Sequence, residues 1–256
     1  MGVAGPMART AEDVGALFRV LAGHDPGDPF SVPVEIRPPD SSGLRVEVME
    51  QFTRVPVQAA LREAVRTCTA LLSEMKIEIA EFDSSVLARA PNLWLFLFGE
   101  LPAALMAPML EGRRDLCHWT GLEFFSKYEG QPPPTVERTA EVFRERDHMR
   151  RDLLTRMGET TVILAPACGI TAFPHRARRY RTDGKEIGLF EAVMPLVPWN
   201  LLGLPSMTIP MCLDQDGLPA GVQLIGPPYS EELLLDLAVN LERRRGAFPS
   251  PPIDSE

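Results

Sequence analysis

The sequence predicts an α/β protein, a sheet covered by helices, and three observations carry that expectation. Between residues 44 and 82 an alternating stretch, an amphipathic helix and a second alternating stretch follow one another, which is a strand–helix–strand unit. Residues 161–167 (TVILAPA) form an unbroken apolar run ending near a proline, the pattern of a strand buried on both faces. Two further strand-like runs, 206–213 and 221–226, flank a turn around Asp216-Gly217. One domain is expected over residues 1–249, with a disordered tail at 250–256.

The first helix is announced by Thr10, a residue type that caps helices, with Asp13 three positions on. Val14, Leu17, Phe18 and Leu21 are its expected core stripe, and Gly23 its end. Residues 44–49 (LRVEVM) alternate as a strand with one buried face. Over 57–74 the residues Val57, Ala60, Leu61, Ala64, Val65, Cys68, Leu71 and Leu72 keep the helical repeat, with Pro56 as a first-turn proline. KIEIAEF (76–82) alternates again, so the unit reads as two parallel strands joined by a helix.

Residues 86–130 read as irregular helix. Within them Leu93–Leu110 is the most apolar run, cut by Glu100, Pro102 and Pro108 and expected to be too short and broken to span a bilayer. A buried helix pair is its expected role, with a place on a membrane surface as the alternative. After Pro132-Pro133-Pro134, residues 135–157 form a charged helix with a solvated face. A Pro- and Arg-rich loop then precedes an expected helix at 186–199. Ser230 is the expected cap of the last helix, with Glu231 and Glu232 in its first turn, Arg243–Arg245 in its last and Gly246 beyond it.

The formal net charge of −9 disfavours nucleic acid as a partner, while leaving room for a local basic patch. Four cysteines lie far apart without a C-x-x-C pair, and four histidines lack metal-ligand spacing. The expectation is reduced thiols, a cytoplasmic setting, no metal and no cofactor. Met1–Pro6 has neither the basic nor the apolar region of a secretion signal.

Hydrolysis needs a nucleophile, a base and donors for the oxyanion. The sequence holds no G-x-S-x-G elbow and no Gly-rich phosphate loop. Ser41-Ser42-Gly43 reads as a turn and Ser84-Ser85 as a helix cap. Cys68 is a core position. Cys168, just past the apolar strand, reads as a small buried hydrophobe, with a cysteine hydrolase built on it as an alternative. His118 and His148 read as surface residues.

Three segments together resemble the amidase signature family, serine hydrolases with a Ser–cis-Ser–Lys triad. They are GPMARTAEDVGALFRVLAGHDPGDP (5–29), VILAPACG (162–169) and WNLLGLPSMTIPMCLDQDGLPAGVQLIGPPYSEELLLDLAVNLE (199–242). The third holds N-x-x-G-x-P and D-G-x-P-x-G-x-Q in a specific order, and the likeness runs from residue 5 to about 245. GKEIGLFEAVMPLVPWNLLG (184–203) is similar to the helix lining the acyl pocket of members acting on apolar or aryl amides.

This resemblance implies a mixed β-sheet covered by helices, the C-terminal part of the amidase signature fold. Family members are about twice as long, and the half carrying the lysine, the oxyanion loop and both serines has no counterpart in this sequence. Lys76, Lys127 and Lys185 do not match the catalytic lysine, so the resemblance assigns no catalytic residue. It does place Gly5, Pro6 and Met7 beside the cleft, Pro166 at the end of its strand, and Phe190, Val193, Met194, Val197 and Asn200 on or bordering the acyl side, with plain core packing as the alternative role for each. Gly203 and Pro205 would shape the next turn. The implied function is the C-terminal portion of an amidase, inactive alone, with a small-molecule amide as substrate. An N-terminal amidase half as a separate chain, or self-association, would cover the exposed surfaces. A non-catalytic module binding a ligand or partner is the alternative.

Overall fold

The computed structural model describes residues 3–36, 38–52 and 55–251. The tail expected to be disordered lies outside them from residue 252 on. In chain order the regular elements begin with α1 (Ala11–Leu21), β1 (Arg45–Val48), α2 (Ala59–Glu74) and β2 (Glu78–Glu81). There follow α3 (Ala90–Leu95), α4 (Leu101–Leu110), α5 (Trp119–Ser126), α6 (Val136–Met157) and β3 (Thr161–Pro166). The chain continues through β4 (Arg179–Thr182), β5 (Lys185–Gly188), α7 (Leu189–Ala192) and α8 (Val197–Leu202). It closes with β6 (Ser206–Leu213), β7 (Pro219–Ile225) and α9 (Glu231–Arg245).

One mixed sheet has the order β2-β1-β3-β7-β6. β1 is parallel to both β2 and β3, whereas β7 is antiparallel to β3 and β6. The strand–helix–strand reading of 44–82 therefore holds, and the Asp-Gly turn closes a hairpin in which Asp214 Oδ1 accepts from the N–H groups of Asp216 and Leu218, both at 2.9 Å. All six residues of β3 are buried. The period of two explains why: Val162 and Leu164 enter one core with α2 and α9, while Ile163 and Ala165 enter a second with α3, α6 and α8.

Cys68 lies in the first core with no exposure, and burial pushes its thiol up to about 12. An acid whose folded value is raised destabilises the fold only above its unfolded value, near 8.5 for cysteine. The native state should therefore lose about 2 kcal/mol between pH 7 and pH 10 from this group alone. Urea melts at both pH values should show a smaller loss in Cys68→Ala, and iodoacetamide should label Cys68 only on unfolding.

Several local expectations need correction. Thr10 caps α1, accepting from the Asp13 N–H at 3.1 Å, but the helix ends at Leu21 with Ala22 rather than Gly23 as its C-cap. Its buried face is Ala11 and Gly15, not the Val14–Leu17–Phe18–Leu21 stripe: Leu17 is 45% and Leu21 69% exposed. Polar contacts to α9 set that rotation. The Arg19 guanidinium donates twice to Glu232, at 2.8 and 2.5 Å, and Glu242 accepts from the Ala11 N–H at 2.8 Å. Pro56 stands before α2, whose N-cap is Gln58. Lys76 occupies the turn before β2 with φ 60°.

Asp83, not Ser84 or Ser85, caps the short 3-10 turn Ser84–Leu87 by accepting from the Ser85 N–H at 3.0 Å. Ser230 stands at the N-cap of α9, but its hydroxyl donates to the Pro227 carbonyl at 2.7 Å. The apolar run also differs. Ser84–Leu110 is one helical run of 27 residues, long and apolar enough to cross a membrane by length and composition. A π turn at Phe96–Glu100 links its halves. Ala90, Leu93, Phe96 and Leu97 are core, whereas α4 buries no residue, so only the first half fits the buried helix expected.

The helix expected at 186–199 is three separate pieces preceded by a strand. Asp183 and Gly184, with φ 48° and 73°, make the tight turn that pairs β4 with β5. Pro195 and Pro198 lack the N–H groups that one continuous helix would need, so α7, a 3-10 turn (Met194–Leu196) and α8 follow in steps.

Candidate functional site

The C-terminal end of β3 delivers the chain into a loop held on several sides. The Ala167 N–H donates to Gly221 O at 3.1 Å and the Gly169 N–H to Ala192 O at 2.7 Å. Gly169 O accepts from the Gln58 N–H at 2.9 Å. The side chain of Gln58 continues this clamp: its Oε1 accepts from the Thr171 N–H at 2.8 Å. The Thr171 hydroxyl in turn donates to Asp214 Oδ2 at 2.8 Å. Burial works to raise Asp214, but the Leu218 N–H, the Thr171 hydroxyl and the Asp216 N–H together outweigh it and leave the carboxyl below its ordinary range.

Gln223 is the deepest polar group here. It lies on the β7 face opposite Val222 and Leu224 and is 1% exposed. Its Nε2 donates to Pro166 O at 2.9 Å and to Pro195 O at 3.0 Å. Neither carbonyl belongs to a residue with an N–H of its own, and one amide group ties the end of β3 to the 3-10 turn before α8. Sequence reasoning placed Gln223 in a motif without a role, and it passed over Gln58. A lone polar residue in an otherwise apolar strand was the available signal for Gln223; Gln58 had none beyond its place at a helix start.

The residues singled out from the sequence distribute unevenly about this loop. Pro166, Met194 and Val197 are buried, and Val193 and Phe190 half-buried. Gln223 brings Pro166 and the 193–197 segment together. Phe190 stacks on Phe124 with ring centroids 4.3 Å apart. Asn200 is exposed on α8, and Met7 is 91% exposed ahead of α1. Among the described residues neither side chain hydrogen-bonds to the Pro166 loop.

Cys168 is half-buried rather than fully buried, and its thiol donates to Ala192 O at 3.1 Å. Two hydroxyl–imidazole contacts occur among the described residues. His24 Nδ1 lies 3.3 Å from Ser31 Oγ in an exposed loop, where that oxygen also accepts from the Asp25 N–H. His118 Nδ1 lies 2.7 Å from Thr120 Oγ1 at the start of α5, where His118 is the exposed N-cap. Both brace backbone turns. His148 is exposed on α6. Ser42 is held in its turn by Asp40, whose Oδ1 accepts from both the Ser42 N–H and its hydroxyl. Lys127 Nζ sits 5.5 Å over the Phe190 ring. Met194 and Val197 belong to the second core, and the carbonyls of Pro166, Gly169, Ala192 and Pro195 each already accept a hydrogen bond. Among the described residues no group of three or more His, Cys, Asp or Glu side chains is arranged to hold a metal.

A family model described as Amidase matches residues 1–235. A glutamyl-tRNA(Gln) amidotransferase subunit from Acinetobacter baumannii is 30% identical over 91% of this chain and 52% of its own length. The protein of the same name from Synechococcus sp. is 24% identical over 97% of this chain and 56% of its own. Among solved structures, a bacterial aryl acylamidase of the amidase signature family superposes with a TM-score of 0.74 at 18% identity, covering 95% of this chain and 53% of that one. Fatty acid amide hydrolase gives 0.73 at 18% identity, with 94% and 48% covered. The chain spans about half the length of the curated relatives it matches.

Proposed function

The chain belongs to the amidase family, and on that premise we propose that it is the C-terminal portion of an amidase-type hydrolase, inactive without the segment that carries the reacting groups. The observation carrying this reading is a family match over residues 1–235 in a chain spanning about half its relatives. The complete enzyme cleaves R–CO–NHR′ to a carboxylic acid and ammonia or an amine. A serine attacks the carbonyl, a lysine acts as base through a bridging serine, and backbone N–H groups hold the oxyanion. The 256 residues contribute the wall formed by Pro166, Phe190, Val193, Met194 and Val197, with Met7 and Asn200 at its border.

Leu17, Val20 and Leu21 form an exposed apolar strip on α1, and Phe30, also exposed, lies in the turn at Asp28–Ser31 that follows. Apolar surface of this kind marks contact sites. We assign it to the complementary amidase segment, supplied by a separate chain or replaced by a second copy. Val20→Glu with Leu21→Glu should shift the protein from oligomer to monomer in light scattering, with an unchanged thermal midpoint. A wild-type chain that is already a monodisperse monomer would remove this assignment.

A cysteine mechanism is not what we propose, because the Cys168 thiol is engaged by Ala192 O and hydrogen-bonds to no imidazole or ammonium among the described residues. The decisive measurement is turnover of 4-nitroacetanilide by the purified chain. The expected rate equals the buffer blank. Turnover abolished by one substitution within these residues, Cys168→Ala included, would overturn the proposal.

A further inference from the structure

The Arg-rich segment that runs through β4 to the start of β5 is left unused by the amidase reading. Arg176, Arg178, Arg179, Arg181 and Lys185 fall within ten residues of a chain whose net charge is −9. The fold turns this segment toward α5, where three adjoining cavities of about 590, 210 and 390 Å³ all have Trp119 in their walls. The Arg178 guanidinium lies 4.6 Å from the Trp119 ring centre, and Lys127 stands over Phe190 in the wall of the same 210 Å³ cavity.

Five cationic side chains line the three cavities, Arg114, Lys127, Arg176, Arg178 and Arg179, against the acids Glu123 and Glu191. Two of the cations are already paired, Arg114 with Glu129 at 2.6 Å and Arg179 with Glu186 at 4.0 Å. Glu191 is occupied by the Gly188 N–H at 2.8 Å. Among the described residues Lys127, Arg176 and Arg178 have no carboxylate oxygen within 4.0 Å. A guanidinium stacked on an aromatic ring keeps its N–H edge free, and that edge fits a carboxylate in two parallel hydrogen bonds. Trp119 offers a face to a planar ring at the same place.

We propose that this cleft binds an aromatic carboxylate, its ring against Trp119 and its anionic end on Arg178, with Lys127 and Arg176 contributing to the field. The local excess of cations attracts one carboxylate, while the acidic remainder of the surface repels a polyanion. The cleft shares Phe190 with the wall assigned above, but the proposal involves no reacting group, and its test reads ligand binding rather than turnover.

The test is a ¹⁹F NMR titration of the full chain with 4-fluorobenzoate and, separately, 4-fluorobenzamide. The acid should bind at least tenfold more tightly than the amide, and 500 mM salt should weaken it severalfold relative to 50 mM. Arg178→Gln and Trp119→Leu should each weaken it about tenfold, while Arg138→Gln, on α6, leaves it unchanged. Circular dichroism melts check that each variant is folded; if Arg178→Gln is not, Lys127→Gln with Arg176→Gln replaces it, with the same loss expected. Equal affinity for acid and amide, or binding unchanged in the folded variants, overturns the proposal. Displacement of 4-fluorobenzoate by micromolar oligo(dT) overturns it too, in favour of a nucleic-acid platform.

Discussion

Gln223→Glu should be the most damaging single change near the β3 end, and its damage should grow with pH. The native amide donates to two backbone carbonyls, Pro166 O at 2.9 Å and Pro195 O at 3.0 Å. An ionised carboxylate has nothing to donate and would face both oxygens from a position that is 1% exposed in the native protein. Burial and the carbonyl dipoles raise the folded-state value of the introduced acid above its unfolded value near 4.3. Stability then falls as pH rises from the unfolded value to the folded one, where the group ionises and the fold is weakest. The protonated acid keeps one O–H donor and restores one of the two bonds. Urea melts should show a loss of about 4 kcal/mol or more at pH 7.5 and a clearly smaller loss at pH 5. Gln223→Met, which has the same reach and no charge, should lose about 2–4 kcal/mol at both. Equal losses for the Glu variant at the two pH values would show that the side chain escapes to solvent and that the clamp is not closed.

Gly169→Ala should cost about 3 kcal/mol, lowering the thermal midpoint by about 6–12 °C. The added methyl carbon would lie 2.8 Å from Ala192 O and 3.3 Å from Pro56 O, both of them backbone atoms that cannot swing aside. Relief requires the 167–171 loop to lift, which breaks the 2.7 Å bond from the Gly169 N–H to Ala192 O. The same movement pulls on Cys168, whose thiol shares that acceptor at 3.1 Å. Iodoacetamide should therefore label Cys168 faster in the variant than in the parent, linking loss of stability to opening of the loop. Gly5→Ala is the control: a methyl group added there would meet nothing within 4 Å, and no change is expected.

Much of this protein is legible in its sequence because the relevant physics is local. The all-apolar run of β3 requires burial on both faces, and the alternation of its side chains between the two cores follows from the strand period. Thr10 caps its helix through a side chain that reaches only the N–H three residues on. The turn at Asp183-Gly184 carried a readable signal too, and passing over it is what merged β5 and α7 into one expected helix.

What lies beyond the sequence is fixed by partners distant along the chain. Which face of α1 turns inward was decided by Glu232 and Glu242, more than two hundred residues away, which accept from Arg19 and Ala11 and leave the apolar strip outside. Gln58 and Gln223 became clamps of the β3 loop only when folding delivered Thr171, Pro166 and Pro195 to them. A repeating hydrophobic pattern records that a side chain prefers to be buried. A buried hydrogen bond depends on where its partner arrives, and only tertiary packing supplies that.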